Sequence, residues 1–276
     1  MKHKLSILIL LMLSLCACGA SDVIDSTYES VPTPESTYTI PEPTVSTTEP
    51  TTLSTEDPNL LDITSGAFLN RFTDENSKTS LDYYTFIPEN AVKNMPLIIF
   101  LHGDGEIGRI NALQNIALIE NARDYYGESY PFIAIAPCRV QKSWCTGSLP
   151  NVLLSLIDET VQMYEIDPEH IIISGFSSGA MGTWYMITNH TDYFSAAVPV
   201  SCPNEYPIIY DNIKNVPIWG FVGEKEEYYT IKMSEIINWT SQIGGDARLT
   251  VVEDMSHAGM DKAAFTQEVV EWMIAQ

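Results

Sequence analysis

Ile171-Ile172-Ile173-Ser174-Gly175-Phe176-Ser177-Ser178-Gly179-Ala180 is the stretch on which the reading of the fold turns. An apolar, β-branched run ends in G-x-S-x-G and passes at once into residues 180–188, a segment of helical composition. Strand, tight turn and helix in that order make a nucleophile elbow, which holds a serine out of a sheet edge with its hydroxyl exposed. Side chains two before and two after that serine would run into neighbouring backbone, so Gly175 and Gly179 stand where a Cβ has no room. The amide of Ser178 then points to where negative charge would collect during attack on a carbonyl. Taken alone, G-x-S-x-G also suits an ordinary glycine-rich turn between strand and helix, so the rest of the chain has to decide.

The strands and helices around the elbow alternate. Upstream, residues 67–73 and 81–88 read as two strands joined across Asp74-Glu75-Asn76-Ser77, and Leu97-Ile98-Ile99-Phe100-Leu101 is an all-apolar run of the kind buried on both faces of a parallel sheet. A helical stretch at 113–125, a buried strand at 132–137 and an amphipathic helix at 149–164 lead to the elbow strand. Downstream come strands at 196–200 and 217–222, a helix at 232–243, a strand at 248–252 and a closing helix at 263–275. The pattern predicts an α/β fold with a doubly wound, mostly parallel sheet, helices on both faces and ligands at the carboxyl ends of the strands.

The amino terminus is a separate matter. Lys2 and Lys4 precede an apolar run at 5–15, too short to span a bilayer and the right length for the core of a signal peptide. It ends in Leu15-Cys16-Ala17-Cys18-Gly19, which resembles a bacterial lipobox: Cys18 would become the lipidated first residue of the mature protein. Cys16 fits less well, since Leu15 would then hold the small-residue position; a plain secretory signal with incidental cysteines is the alternative. Residues 21–58 carry six prolines and eight acidic residues among many Ser and Thr, with no Lys or Arg. Such a composition cannot bury enough apolar surface to offset the entropy of ordering. The expected organisation is a lipoprotein signal peptide at 1–18, a Pro/Ser/Thr/Glu linker at 19–58 and a folded unit at 59–276.

Charge and cysteines narrow the function further. The chain carries 14 basic and 36 acidic residues, a formal net charge of −22, which excludes nucleic acid as a partner. Without the eight linker acids and the two leader lysines, 12 basic and 28 acidic residues remain, so the folded unit is acidic in its own right. Cys138 and Cys145 suit either a short-loop disulfide in an oxidising exterior or two free thiols, and Cys202 makes the number odd.

A serine nucleophile needs a base, because its free hydroxyl is almost wholly protonated at neutral pH. Of five histidines, His3 is in the leader, His102 lies in the turn after an earlier strand, His170 precedes the elbow strand and His190 follows the elbow helix. His257, in the loop after the last strand, remains. A carboxylate between serine and histidine in chain order should orient that imidazole. Gly223-Glu224-Lys225-Glu226-Glu227 offers three; Glu226 is preferred, with Glu227 and Glu224 behind it and Asp211 and Asp246 weaker. A second oxyanion donor is expected from His102-Gly103-Asp104-Gly105, through the Asp104 amide, and the Asp104 carboxylate must turn away from the developing charge. His102 itself reads as a structural residue.

Several segments, in matching order, carry a family resemblance: residues 96–106, Ile166-Asp167-Pro168-Glu169-His170-Ile171, the elbow with Met181-Gly182-Thr183-Trp184, Ala196-Ala197-Val198-Pro199-Val200 and residues 216–221. Over about residues 80–275 the chain resembles the secreted esterases of the α/β-hydrolase superfamily related to feruloyl esterases, polyhydroxybutyrate depolymerases and prolyl-oligopeptidase-like "predicted peptidases". The resemblance implies Ser177 as nucleophile, His257 as base and Glu226 as acid. It departs from the family's His-Gly-x-x-Asp segment, since Val222 stands where His is usual and Glu226 replaces Asp. The reading is a carboxylesterase mechanism with Ser178 and Asp104 as oxyanion donors, and no cofactor or metal is expected, since no His/Cys/carboxylate cluster in the sequence has ligand spacing. The implied substrates are esters, among them acylated polysaccharides. Location is expected outside the cytoplasm, on the bacterial membrane through the Cys18 lipid. The rival readings are a serine peptidase of prolyl-oligopeptidase-like type and a non-catalytic surface-binding protein on the same fold. Trp144, Trp184 and Tyr228 are aromatic candidates for contact with substrate, with packing the favoured role for each.

Overall fold

A computed structural model describes residues 58–276; the leader, Cys18 and all of the proline-rich segment except Pro58 lie outside the described residues. Gly66–Thr73 (β1) and Ser80–Ile87 (β2) form an antiparallel hairpin, closed where the Asp74 carboxylate accepts the Ser77 amide at 2.6 Å. Six more strands follow: Leu97–Leu101 (β3), Ile133–Cys138 (β4), Ile171–Phe176 (β5), Ala196–Val200 (β6), Ile218–Gly223 (β7) and Ala247–Val252 (β8). They make one eight-stranded sheet in the order β1-β2-β4-β3-β5-β6-β7-β8. β2 joins β4 antiparallel, and every pairing from β4 to β8 is parallel.

Helices between the strands cover both faces, and the period-two geometry of a strand explains how. Leu97, Ile99 and Leu101 of β3 point to one face, where they pack with Leu156 of Leu149–Met163 (α2), Trp184 of Ser178–Asn189 (α3) and Met233 of Glu227–Gln242 (α5). The short helix Tyr210–Ile213 (α4) adds Ile213 to that layer. Ile98 and Phe100 point to the other face, against Leu118 of Ala117–Tyr126 (α1), Met260 of Met260–Ala264 (α6) and Val270 of Gln267–Ile274 (α7). All five β3 side chains are buried, each aliphatic one contributing roughly 1.5–3 kcal/mol by leaving water. Among the described residues no helix is long and apolar enough to cross a membrane.

Three boundaries differ from those expected. The helix expected at 113–125 starts later, because residues 110–113 form a tight 3₁₀ turn and Ile116 is extended before α1 begins. The closing helix is two: Phe265 ends α6, and the Thr266 hydroxyl accepts the Val269 amide at 3.4 Å to start α7. α5 begins at Glu227 rather than 232 and so takes in Tyr228, Tyr229, Thr230 and Ile231, all poor helix formers. Cys138, Cys145 and Cys202 are all free and buried.

Candidate active site

β3, β5, β6 and β7 are mutually parallel, so their carboxyl ends share one edge of the sheet, and the candidate side chains gather there. Ser177 follows β5 directly and precedes α3, with a left-handed φ of 56°. Such a backbone costs a non-glycine residue on the order of 1–3 kcal/mol unless its surroundings hold it. Here the Ser177 amide donates to Val200 O at 2.9 Å, and the Ser177 carbonyl accepts from Ala180 N at 2.9 Å. A Cβ on Gly175 would collide with the Gly179 carbonyl group, and one on Gly179 with Leu101 O. Ser178 is the first residue of α3, so its amide is among those a helix leaves without an intrahelical acceptor.

His257 Nε2 lies 3.0 Å from Ser177 Oγ, and its Nδ1 lies 2.6 Å from Glu226 Oε1. A carboxylate only accepts, so Nδ1 carries the proton and the lone pair of Nε2 faces the serine hydroxyl. The ring lies against Phe176, tilted by 31° with centroids 4.8 Å apart, and against Tyr229, edge-on at 5.9 Å. The Glu226 side chain is 4% exposed, and its second oxygen accepts from Gly223 N at 2.8 Å and Ser201 Oγ at 2.7 Å. Backbone bonds from Glu224 N to Val252 O and from Lys225 N to Met255 O, each 2.9 Å, fasten the acid loop to the end of β8.

Among the described residues none of the other candidate acids bonds the His257 ring. Glu224 accepts the Asp254 amide at 2.8 Å, Asp211 pairs with Lys214 at 2.8 Å, and Glu227 and Asp246 are exposed. His170 pairs with Asp167, and the half-buried His190 caps the far end of α3. Val222 is buried in the sheet core. Trp144 and Trp184 are likewise buried, donating to His102 O and Cys202 O at 3.0 Å each, while Tyr228 is 60% exposed.

The loop after β3 is held from beneath. His102 is buried; its Nδ1 donates to Gly103 O at 2.6 Å and its Nε2 accepts the Arg139 amide at 3.1 Å. Those partners select the neutral ring, and burial pulls its pKa down to about 4. Gly103 passes close enough to Ser177 that an added Cβ would lie 3.3 Å from the serine Cβ. Arg139, directly after β4, has no side-chain exposure, and its guanidinium bonds Asp104, the Ser178 hydroxyl at 2.7 Å and Gln141 O at 2.6 Å. The Ser178 hydroxyl, then Arg139, hold the Asp104 carboxyl below the usual carboxylate range. Its charge thus faces the Arg139 guanidinium. Arg139 and Ser201 are absent from the sequence reading; what could have marked both is their place immediately after a buried strand.

No family model matches the chain. Acetylxylan esterase A of Emericella nidulans is 26% identical over 152 residues, covering 49% of this chain and 48% of that protein. Feruloyl esterase B of Neurospora crassa is 26% identical over 135 residues, 45% of this chain and 44% of that one. The chain thus spans about half the length of the curated relatives it matches. A thermostable esterase of known structure superposes with a TM-score of 0.65 at 26% identity, over 76% of this chain and 63% of that one. With its eight-stranded, mostly parallel sheet and a serine elbow at the carboxyl edge, the chain has the α/β-hydrolase fold and is similar over about half its length to acetylxylan and feruloyl esterases.

Proposed function

We propose that the protein is an exported carboxylic-ester hydrolase whose reaction is carried by Ser177, His257 and Glu226. The observation that carries this reading is the unbroken run of hydrogen bonds from Ser177 Oγ through the imidazole to Glu226, at 3.0 and 2.6 Å. In the first half-reaction Ser177 Oγ bonds to the ester carbonyl carbon while its proton passes to His257 Nε2. The carbonyl oxygen becomes an oxyanion, accepted by the amides of Ser178 and Asp104. The carbon–alkoxy bond then breaks, and His257 returns the proton to the departing oxygen, leaving an acyl-serine. Water repeats the sequence: its proton goes to His257, its oxygen bonds the acyl carbon, and the Ser177 oxygen leaves with the proton. Glu226 stays ionised throughout, steadying the imidazolium between transfers.

Acyl groups on a polysaccharide are the proposed substrates, in keeping with the names of the relatives and with an imidazole 43% exposed at the molecule's surface. The proposed setting is outside the cytoplasm, with the 19–58 segment as a tether from a lipid on Cys18. A Cys18→Ala variant should then move from the membrane fraction to the medium of the producing bacterium. The reaction itself is tested with the full chain and its Ser177→Ala variant on 4-nitrophenyl acetate. Loss of at least about 10³-fold in kcat is expected, and equal rates would overturn the reading.

A further inference from the structure

We propose that Ser201 is a positioning residue of the reaction, its hydroxyl holding the Glu226 carboxylate so that the other carboxylate oxygen faces His257; this rests on the ester-hydrolase reading above. Ser201 follows β6 directly, is fully buried, and carries a left-handed φ of 56°. Ser177, after the adjacent strand β5, has the same φ. Glycine adopts such a backbone without strain, so the position keeps a serine at a conformational cost. What the serine adds there is its hydroxyl, which donates to Glu226 Oε2 at 2.7 Å.

The backbone beneath that hydroxyl is fixed from two sides. In the peptide group joining Val200 to Ser201, the carbonyl accepts the Ser177 amide at 2.9 Å and the N–H donates to Phe221 O at 2.8 Å. One planar unit therefore holds both the nucleophile turn after β5 and the strand β7 that leads into the acid loop. Ser201 springs from that unit, so its hydroxyl sets the carboxylate in the same frame as the nucleophile.

A glutamate needs such a hold more than an aspartate would, because its side chain has one more rotatable bond. Its Oε1 must stay in line with His257 Nδ1, 2.6 Å away. Among the described residues the donors to Oε2 are Ser201 Oγ and, at 2.8 Å, Gly223 N. Two donors from different strands fix the plane of the carboxylate, whereas the amide alone lets it swing about that single bond. The side chain is almost closed to solvent, so little water is at hand to replace a lost donor.

The test measures hydrolysis of 4-nitrophenyl acetate and thermal unfolding for the full chain and its Ser201→Ala and Ser201→Gly variants. A hydrogen bond to a charged group is lost in both, so kcat should fall about 10–100-fold in each, with KM within about threefold. Melting temperature separates this from a structural role: Ser201→Gly should melt above Ser201→Ala, because only glycine relieves the left-handed backbone, and yet be no more active. In a Glu226→Gln background, adding Ser201→Ala should cost less than about threefold in kcat, since no carboxylate is left to hold. Parent kcat in either single variant, a Ser201→Gly kcat that recovers along with its melting temperature, or the full loss repeated beside Glu226→Gln overturns the role of Ser201 and leaves the ester-hydrolase reading standing. A parent protein inactive on the ester overturns both.

Discussion

At Arg139 a guanidinium closed off from solvent meets Asp104, Ser178 and the Gln141 carbonyl, while its buried Nε has no partner among the described residues. One side chain thus ties together the two residues whose amides are proposed to receive the oxyanion. Arg139→Met should lower kcat on 4-nitrophenyl acetate by about 10–100-fold, short of the roughly 10²–10³ for deleting a donor outright, with KM within threefold. Arg139→Lys should not restore it, since a point charge cannot span two acceptors as the planar fork does. An unaltered kcat in Arg139→Met would separate Arg139 from the oxyanion loop. Glu226→Gln, which leaves His257 Nδ1 facing an amide, should cost about 10²–10⁴ in kcat; Glu227→Gln should cost less than threefold. The reverse order would move the acid role to Glu227. Ser177 could be read from its flanking glycines and His257 by elimination, but nothing local separates Glu224, Glu226 and Glu227. What does is a backbone loop stitched to β8, a contact thirty residues distant in sequence. The place of Arg139 after a buried strand marks it in the sequence, but the residues it ties together appear only once β3 and β4 stand side by side.

The elements were more legible than the contacts between them. β3 announces itself as an unbroken apolar run and β5 by Ile171-Ile172-Ile173, because both faces are buried, and the antiparallel β1–β2 hairpin by its turn residues. Local propensity misplaces the start of α5, because the tyrosines and β-branched residues that open it are poor helix formers. Two consequences belong to this scale. Gly179→Ala would push a methyl into the Leu101 carbonyl at the junction of β3 and α3, so its cost should exceed about 4 kcal/mol, read as lost soluble yield or a collapsed Tm. The link between β3 and β4 through His102 should be sensitive to acid. The folded ring has a pKa of about 4 against an ordinary value near 6.5, so on acidification the unfolded chain takes up the proton first. Stability is fully present above about pH 6.5 and falls by about 3 kcal/mol as pH drops toward 4. His190, also held down by burial, adds to the same window. Urea unfolding of the parent and of His102→Gln at pH 7 and 4.5 therefore isolates His102: the variant should lose less stability on acidification. Equal losses would contradict a buried neutral ring.

As a whole the molecule is strongly acidic, with −22 formal charges, and this bears on which polymers it can approach. An uncharged acetylated xylan should be deacetylated at a rate that changes less than twofold between 20 and 200 mM NaCl. A polyanion such as acetylated polygalacturonate should be a poor substrate at low salt and improve as salt screens the repulsion. Faster turnover of the polyanion at low salt would contradict this. The relation between hydroxyl, imidazole and carboxylate at one sheet edge underlies all these expectations, and chemical labelling reads it most directly. Ser177 Oγ should bond the phosphorus of a fluorophosphonate and expel fluoride, its proton passing to His257, which leaves the phosphonyl group on one peptide, the one containing residues 175–179, as seen by mass spectrometry after digestion. Labelling should vanish in Ser177→Ala and slow by at least about 10²-fold in His257→Ala. An adduct on another residue, or equal labelling rates in the three proteins, would contradict the account.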